Sequence, residues 1–198
     1  PYAVFLEAGS GSASAYSEGL RRQAEGRPTP RACVVMNANP FTLGHRRLVE
    51  RAASENPWVW VLAVREDRSE FPFDVRFRLM REGTADLPNV EVLSGGEYVI
   101  SARTFPAYFT RQESLASAQG TLDAAVFCDL VAPALGVAKR YVGTEPFSPS
   151  TARYNEALLE QLPKRDIQVV VVERASVNGE AVSASRVRAA LAAGDWDT

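Results

Sequence analysis

Short apolar runs alternate with amphipathic stretches along most of the chain. The runs RACVVMN, WVWVLAV and IQVVVVER are apolar and rich in β-branched residues, which is typical of buried strands. NVEVLSG predicts a further strand, and KRYVGTEP predicts a strand that runs into a turn. Between them, LGHRRLVERAASEN, FPFDVRFRLMREGTADLP and STARYNEALLEQLP carry apolar residues at helical spacing. This order predicts an α/β fold, a Rossmann-like three-layer α/β/α domain with a mostly parallel sheet.

Two further helices are predicted in the second half of the chain. TLDAAVFCDLVAPALG is almost entirely apolar, which indicates a helix buried on several sides. VNGEAVSASRVRAALAAG reads as a turn followed by a final helix. The intervening segment EYVISARTFPAYFTRQES is aromatic-rich and irregular, so it predicts no regular element.

Residues 1–30 do not continue this alternation. PYAVFLEAG could form one strand, and the Gly/Ser-rich stretch after it contains a short helix candidate and a proline-punctuated linker. We therefore assign residues 31–198 to one domain and residues 1–30 to a connector. Because the chain lacks an initial Met and stops directly after a helix, we expect it to be part of something longer.

Composition narrows the functional classes. The net charge of −2 disfavours a general nucleic-acid binder. The apolar runs are too short to cross a bilayer, and no signal peptide is evident, so we expect a cytoplasmic protein without membrane contact.

Cys33 and Cys128 lie in apolar surroundings, which favours buried thiols over a disulfide. With one histidine and no close cysteine pair, a zinc site lacks ligands, and neither a G-x-S-x-G elbow nor a Walker loop occurs.

The single histidine, His45, follows Gly44 at the start of a predicted helix, directly after the first buried strand. A helix N-terminus offers unpaired N–H groups and a partial positive charge, and glycine lets a ligand approach the backbone. Thr42 and His45 add a hydroxyl and an imidazole to the same place. The pattern predicts a phosphate cradle without lysine, and a capping or packing role for His45 is the alternative.

A second candidate anion site lies at the start of the last predicted helix, in VSASRVR. Ser183 and Ser185 can donate hydroxyl protons to phosphate oxygens, and Arg188 can stabilise negative charge there. The alternative is a serine N-cap followed by an ordinary helix.

NPFTLGH resembles the T/H-x-G-H signature of the nucleotidyltransferase superfamily, and VSASRVR resembles its I-S-x-[ST]-x-x-R motif. Four longer blocks, VVMNANPFTLGHRRLVERAASEN, FPFDVRFRLMREGTADLPNV, EYVISARTFPAYF and APALGVAKRYVGTEPFSPSTARYN, resemble the citrate lyase ligase family. Full-length members carry an acetyltransferase-like domain first, so residues 1–30 resemble its tail and the connector.

The resemblance implies an AMP-forming ligase that uses ATP and acetate. Acetate would attack the α-phosphorus to give acetyl adenylate, and the prosthetic-group thiol of the citrate lyase acyl-carrier subunit would then capture the acetyl group. Mg²⁺ would be bound mostly by phosphate oxygens and water, without a metal-ligating protein site. The oligomeric state is left open.

The resemblance also assigns roles to residues. Thr42, Gly44 and His45 would bind the α- and β-phosphates, and Ser183, Ser185 and Arg188 would bind the outer phosphates. His45, Thr42 and Arg188 would be catalytic.

Asn37 and Asn39 could donate amides to the nucleotide, or shape the turn at Pro40. Gly143 and Glu145 match a nucleotide-contacting Gly-x-Asp, with Glu for Asp, although a solvated turn fits equally. Arg76, Tyr98 and Arg103 are substrate candidates; the alternatives are a helix-surface salt bridge for Arg76 and core packing for the aromatic residues.

Two other functions fit the same motifs. One is an adenylyltransferase of the phosphopantetheine or nicotinate-mononucleotide type, whose acceptor is a phosphate and for which no second basic cluster is evident. The other is a nucleotide- or carrier-binding module without turnover.

Overall fold

The computed structural model describes residues 12–65, 69–101, 113–145, 148–174, 176–177, 180–181 and 183–195. Its strands are β1 (Arg31–Met36), β2 (Trp58–Ala63), β3 (Val90–Ser94), β4 (Val137–Gly143), β5 (Gln168–Val172), β6 (Ser176–Val177) and β7 (Glu180–Ala181). Its α-helices are α1 (Ala13–Ala24), α2 (Leu43–Glu55), α3 (Phe73–Glu82), α4 (Glu113–Val126), α5 (Ala132–Leu135), α6 (Pro149–Gln161) and α7 (Ala184–Ala193).

Five strands form one parallel sheet in the order β3-β2-β1-β4-β5. Strand β2 is buried at every position, as its uninterrupted apolar sequence requires of a strand covered on both faces. The chain crosses from β3 on one side of β1 to β4 on the other, and this reversal creates a crevice at the carboxyl ends of β1 and β4. The predicted parallel sheet is confirmed.

Each face of the sheet has its own apolar core. On one face, Val49 and Ala52 of α2 and Met80 of α3 pack against alternate residues of the central strands. On the other face, Phe127 and Leu158 belong to a larger core. The result is the predicted three-layer α/β/α architecture.

Helix α1 belongs to this larger core. Its Leu20 and Ala24 are buried there, and Tyr16 packs against the same cluster. The sequence predicted a short helix in this connector but not its burial. The predicted strand PYAVFLEAG lies outside the described residues.

The single apolar helix predicted at TLDAAVFCDLVAPALG is wrong in detail. Helix α4 passes through a π-helical turn at Phe127–Val131 before α5 continues to Leu135. Pro133 has no N–H to donate to the preceding turn, so regular α-helical hydrogen bonding cannot pass through it. Gly136 then ends α5 with a left-handed backbone, φ 65°.

Two further observations concern the cysteines and the apolar helices. Cys33 and Cys128 are both buried free thiols. Within the described part of the chain, no helix is long and apolar enough to span a membrane.

Candidate functional site

A cleft of about 640 Å³ opens at the carboxyl edge of the sheet. Its walls come from the segments after β1, β4 and β5 and from the first turns of α2 and α7, with α6 on one side. The crevice beyond the carboxyl ends of parallel strands is where such sheets bind ligands. The predicted site residues that line it are Asn37, Asn39, Thr42, Gly44, His45, Gly143, Glu145, Ser185 and Arg188.

His45 is fixed by the start of its own helix. Its Nδ1 accepts a hydrogen bond from the backbone N–H of Thr42 at 3.1 Å, and Thr42 Oγ1 lies 2.9 Å from the same nitrogen. The ring also stacks on Phe41, with centroids 5.8 Å apart. Since a backbone N–H can only donate, Nδ1 must be unprotonated, and the neutral ring carries its proton on Nε2. His45 therefore serves as a helix cap and retains an N–H donor.

The surroundings of His45 keep the imidazole neutral. Burial lowers the pKa of His45 to about 4, and the positive charge of Arg174 adds to this effect. A neutral ring can donate one hydrogen bond from Nε2 without adding a positive charge near Arg174. This is the protonation state that suits donation to a phosphate oxygen near neutral pH.

Arg188 joins the two motif segments, which are far apart in sequence. Its Nη1 donates to the carbonyl oxygen of Asn39 at 2.6 Å, and its Nη2 donates to Ser185 Oγ at 3.1 Å. Its Nε lies 3.0 Å from a carboxylate oxygen of Glu70. The start of α7 is thus attached directly to the loop between β1 and α2, and both helix starts face one cleft.

Ser183 caps the last helix, which was the alternative to phosphate binding. Its side chain caps α7 by accepting from the N–H of Arg186 at 3.3 Å, and it is not among the residues that line the cleft. Ser185, two residues later, does line the cleft. The two serines of the motif therefore divide between capping and facing the cleft.

Asn37 and Asn39 connect the loop after β1 to the segment before α3. Asn37 Nδ2 donates to Ser69 Oγ at 3.0 Å, and Asn39 Oδ1 accepts from the N–H of Phe71 at 3.0 Å. These bonds give both residues the loop-shaping role that was the alternative to amide donation. Both also line the cleft.

Glu145 is not in a solvated turn. It forms an ion pair with Arg174, with Arg174 Nη2 3.2 Å from Glu145 Oε2, and its side chain is only 12% exposed. It also accepts a hydrogen bond from the N–H of Ser148. Gly143, at the end of β4, has its carbonyl bonded by Asn155 of α6.

Sequence reasoning found Arg188 but missed other arginines that line the cleft. Arg174 follows β5, and Arg47 and Arg51 lie on the side of α2 that lines the cleft. Arg174 could have been found as a residue just after a predicted parallel strand, which places it at the carboxyl edge. With Arg188, these residues are four of the arginines that line the cleft, and three of the four pair with the carboxylates of Glu55, Glu70 and Glu145. Guanidinium groups suit a polyanionic ligand.

Arg76 does not line the cleft. It is fully buried and donates to the carbonyls of Phe71, Asn37 and Val64, each at 2.9 Å. These bonds hold together the loops after β1 and β2. Arg76 is therefore not on the helix surface, and its described hydrogen bonds are to these loops.

Of the other two substrate candidates, Tyr98 is described by the structure and does not line the cleft. Tyr98 is buried, and its ring centroid lies 4.8 Å from that of Tyr16. This is the core packing that was the alternative to substrate contact. Arg103 lies outside the described residues. Among the described residues, no group of three or more His, Cys, Asp or Glu side chains could bind a metal ion.

Comparison with known proteins places the chain in a family. Residues 31–198 match the citrate lyase ligase C-terminal domain. The chain is 45% identical over 169 residues to the [citrate [pro-3S]-lyase] ligase of Escherichia coli (strain K12), covering 82% of this chain and 48% of that protein. This chain belongs to the citrate lyase ligase family. The corresponding protein of Klebsiella pneumoniae is 41% identical over 168 residues, covering 82% of this chain and 49% of the relative. The chain thus spans about half the length of the curated ligases it matches.

Solved structures with the same fold are more distant. Pantothenate synthetase from Thermus thermophilus aligns with a TM-score of 0.55 at 19% identity, covering 86% of this chain and 65% of that one. Pantoate-beta-alanine ligase from Francisella tularensis, solved with beta-gamma ATP and beta-alanine, aligns with a TM-score of 0.56 at 13% identity, covering 87% and 70%. At such identities the likeness establishes the fold: a nucleotidyltransferase-like Rossmann arrangement.

Proposed function

We propose that this chain is the nucleotide-binding part of an AMP-forming acid–thiol ligase. It activates acetate with ATP as acetyl adenylate and passes the acetyl group to the prosthetic-group thiol of the citrate lyase acyl-carrier subunit. The observation that carries the proposal is the meeting of two helix starts at one cleft, joined by Arg188. Membership of the citrate lyase ligase family supports the choice of acid and acceptor.

The donors of the cleft fit a triphosphate. Nε2 of His45 and the hydroxyl of Ser185 lie at the two helix starts, where backbone N–H groups and the helix dipoles also favour anions. Arg174 and Arg188 add positive charge on the same side. In this assignment Thr42, Gly44 and His45 face the α- and β-phosphates, and Ser185 and Arg188 face the outer ones.

The chemistry needs orientation and charge neutralisation but no protein nucleophile. A carboxylate oxygen of acetate bonds to the α-phosphorus, the bond from that phosphorus to the bridging oxygen breaks, and pyrophosphate leaves. His45 and Arg188 stabilise the charge that develops on the leaving group. The thiolate of the carrier arm then attacks the acetyl carbonyl carbon, and AMP leaves. Mg²⁺, when bound, would supply further neutralisation through phosphate oxygens, and Glu145 offers a carboxylate at the cleft wall.

ATP–pyrophosphate exchange tests the proposal. Labelled pyrophosphate should enter ATP when acetate is present and should not do so with 4′-phosphopantetheine or nicotinate mononucleotide. One relative supports a phosphate acceptor. Over 73 residues the chain is 41% identical to a phosphopantetheine adenylyltransferase of Methylococcus capsulatus, which covers 35% of this chain and 44% of that one. Exchange only with a phosphate acceptor would reject the ligase. ATP binding without exchange under any condition would favour a binding module.

A further inference from the structure

A buried arginine lies at the floor of the cleft, on the opposite face of the sheet from His45. Arg140 of β4 is 1% exposed and is among the residues lining the cleft. Its guanidinium stacks on the ring of Phe127, 4.2 Å from the centroid. This contact covers one face of the guanidinium plane and leaves the N–H groups at its edge to be satisfied by hydrogen bonds.

One edge of this guanidinium is connected to a buried carboxylate. Nη2 donates to the hydroxyl of Tyr154 at 3.0 Å, and that hydroxyl donates to Asp123 Oδ2 at 2.6 Å. The other oxygen of Asp123 accepts from the N–H of Ile100 at 2.8 Å. This chain of bonds fixes Arg140 in place, and the tyrosine hydroxyl stands between its charge and that of the carboxylate.

The described residues offer no acceptor to two other donor atoms of Arg140. Nε and Nη1 are buried and lack a hydrogen-bond partner in the part of the chain that the structure describes. Buried polar groups are nearly always satisfied, and a guanidinium cannot lose its proton to avoid the penalty. Arg76, the other fully buried arginine, donates to three carbonyls and so shows what a purely structural arginine looks like in this chain.

The surroundings of Arg140 select the size and chemistry of a ligand. Val35, Ile100 and Val142 line the cleft on the same face of the sheet, and they are apolar. Arg140 precedes Val142 by two residues on β4, which places it about 7 Å deeper along the strand. A small acid could bring one carboxylate oxygen to the guanidinium, keep the other toward the triphosphate site and lay its aliphatic end against these side chains.

We propose that Arg140, held by Tyr154 and Asp123, forms the carboxylate subsite for the short aliphatic acid of this enzyme. The inference rests on the proposed function for the identity of the acid. Since Nε and Nη1 are closed to solvent, binding of the acid requires the side chains that cover them to move. Arg140 is then the residue that positions the acid below the triphosphate bound at the helix starts.

The test separates binding from turnover. Saturation-transfer NMR on the acetate methyl group reports binding directly, and pyrophosphate exchange gives separate KM values for acetate and ATP. In Arg140→Lys, acetate binding should weaken and its KM rise by about ten-fold or more, because a planar charge-assisted contact is lost. The KM for ATP should stay within about two-fold. Tyr154→Phe, which removes only the hydroxyl that fixes Arg140, should shift acetate in the same direction by a smaller factor.

The matched control is Arg27→Lys. Arg27 also stacks on an aromatic ring, 4.5 Å from the centroid of Trp58, but it pairs with Glu91 and does not line the cleft. It should leave the acetate signal and KM unchanged. If folded Arg140→Lys binds acetate like the wild type, the subsite is wrong. If that variant fails to fold, Tyr154→Phe decides by the same criterion.

The two proposals can fail separately. Loss of the acetate signal in the Arg140 variant, in a protein without acetate-dependent exchange, would keep the subsite and reject the ligase. Normal exchange with unchanged acetate KM in both variants would keep the ligase and reject the subsite.

Discussion

Helix α2 begins at the cleft and buries Val49 and Ala52 completely, whereas helix α7 begins at the same cleft and buries none of its residues. Packing against β1 and β2 fixes the first helix start in the apolar core. The second start is held by the polar contacts of Arg188 to Asn39 and Glu70. One half of the site is therefore preformed by hydrophobic burial, and the other half is added by hydrogen bonds that a ligand can strengthen.

The largest expected effect lies in the preformed half. His45→Ala should lower the rate of acetate-dependent pyrophosphate exchange by about 10²-fold or more, as loss of one preorganised donor to a developing anion does. Because His45 also caps α2, His45→Glu is the matched variant: glutamate at this position can accept from the Thr42 N–H but offers no donor. His45→Glu should melt at the wild-type temperature and remain as slow as His45→Ala. A wild-type exchange rate in His45→Ala would mean that His45 only caps α2.

In the other half, Arg188→Met should raise the KM for ATP by about ten-fold, because one charge-assisted phosphate contact and the bridge to Asn39 are both lost. Amide hydrogen exchange within α7 should accelerate, while the melting temperature changes little because α7 contributes no buried side chain. Arg186→Met is the control on the same helix, since Arg186 does not line the cleft. Equal effects of the two substitutions on the KM for ATP would argue against a bridge role.

The sequence could predict local elements and motifs, but not the contacts between distant segments. Strand and helix positions followed from periodicity, and the helix starts followed from motifs whose residues are close in sequence. Contacts between distant segments did not follow: Glu145 and Arg174 meet only because β4 and β5 are neighbouring parallel strands that end at the same level. The hydrogen bonding of Arg76 and that of Arg140 differ in which carbonyls reach each guanidinium, and no local pattern encodes that.

Protonation of the single histidine gives a smaller, pH-dependent effect. Burial holds the pKa of His45 at about 4 in the folded chain, below the ordinary value of 6.5, so the unfolded chain binds the proton first as pH falls. The stability that this supplies is complete above pH 6.5 and is lost between pH 6.5 and about 4. Urea unfolding of wild type and His45→Ala across this range should show a steeper loss in the wild type, on the order of 1–2 kcal/mol after allowance for partial exposure. Parallel curves would mean that the imidazole titrates normally.

The smallest effect concerns the cap of α7. Ser183→Ala should destabilise α7 locally by about 1 kcal/mol, seen as faster amide exchange in its first turns. Ser12→Ala removes the equivalent cap from α1, where Ser12 accepts from the N–H of Ala15. Because α1 is fixed by Leu20 and Ala24 in the core, its exchange should change less. A larger change in α1 than in α7 would contradict the view that α7 lacks core anchorage.

Hydrogen exchange on the wild-type protein with and without ATP and Mg²⁺ tests the shared triphosphate site most directly. Backbone amides at the starts of both α2 and α7 should gain protection together, at one nucleotide concentration, with the larger gain in α7 because its free state is less anchored. Protection at α2 alone, or at neither helix start despite measurable ATP binding, would contradict a triphosphate held between the two.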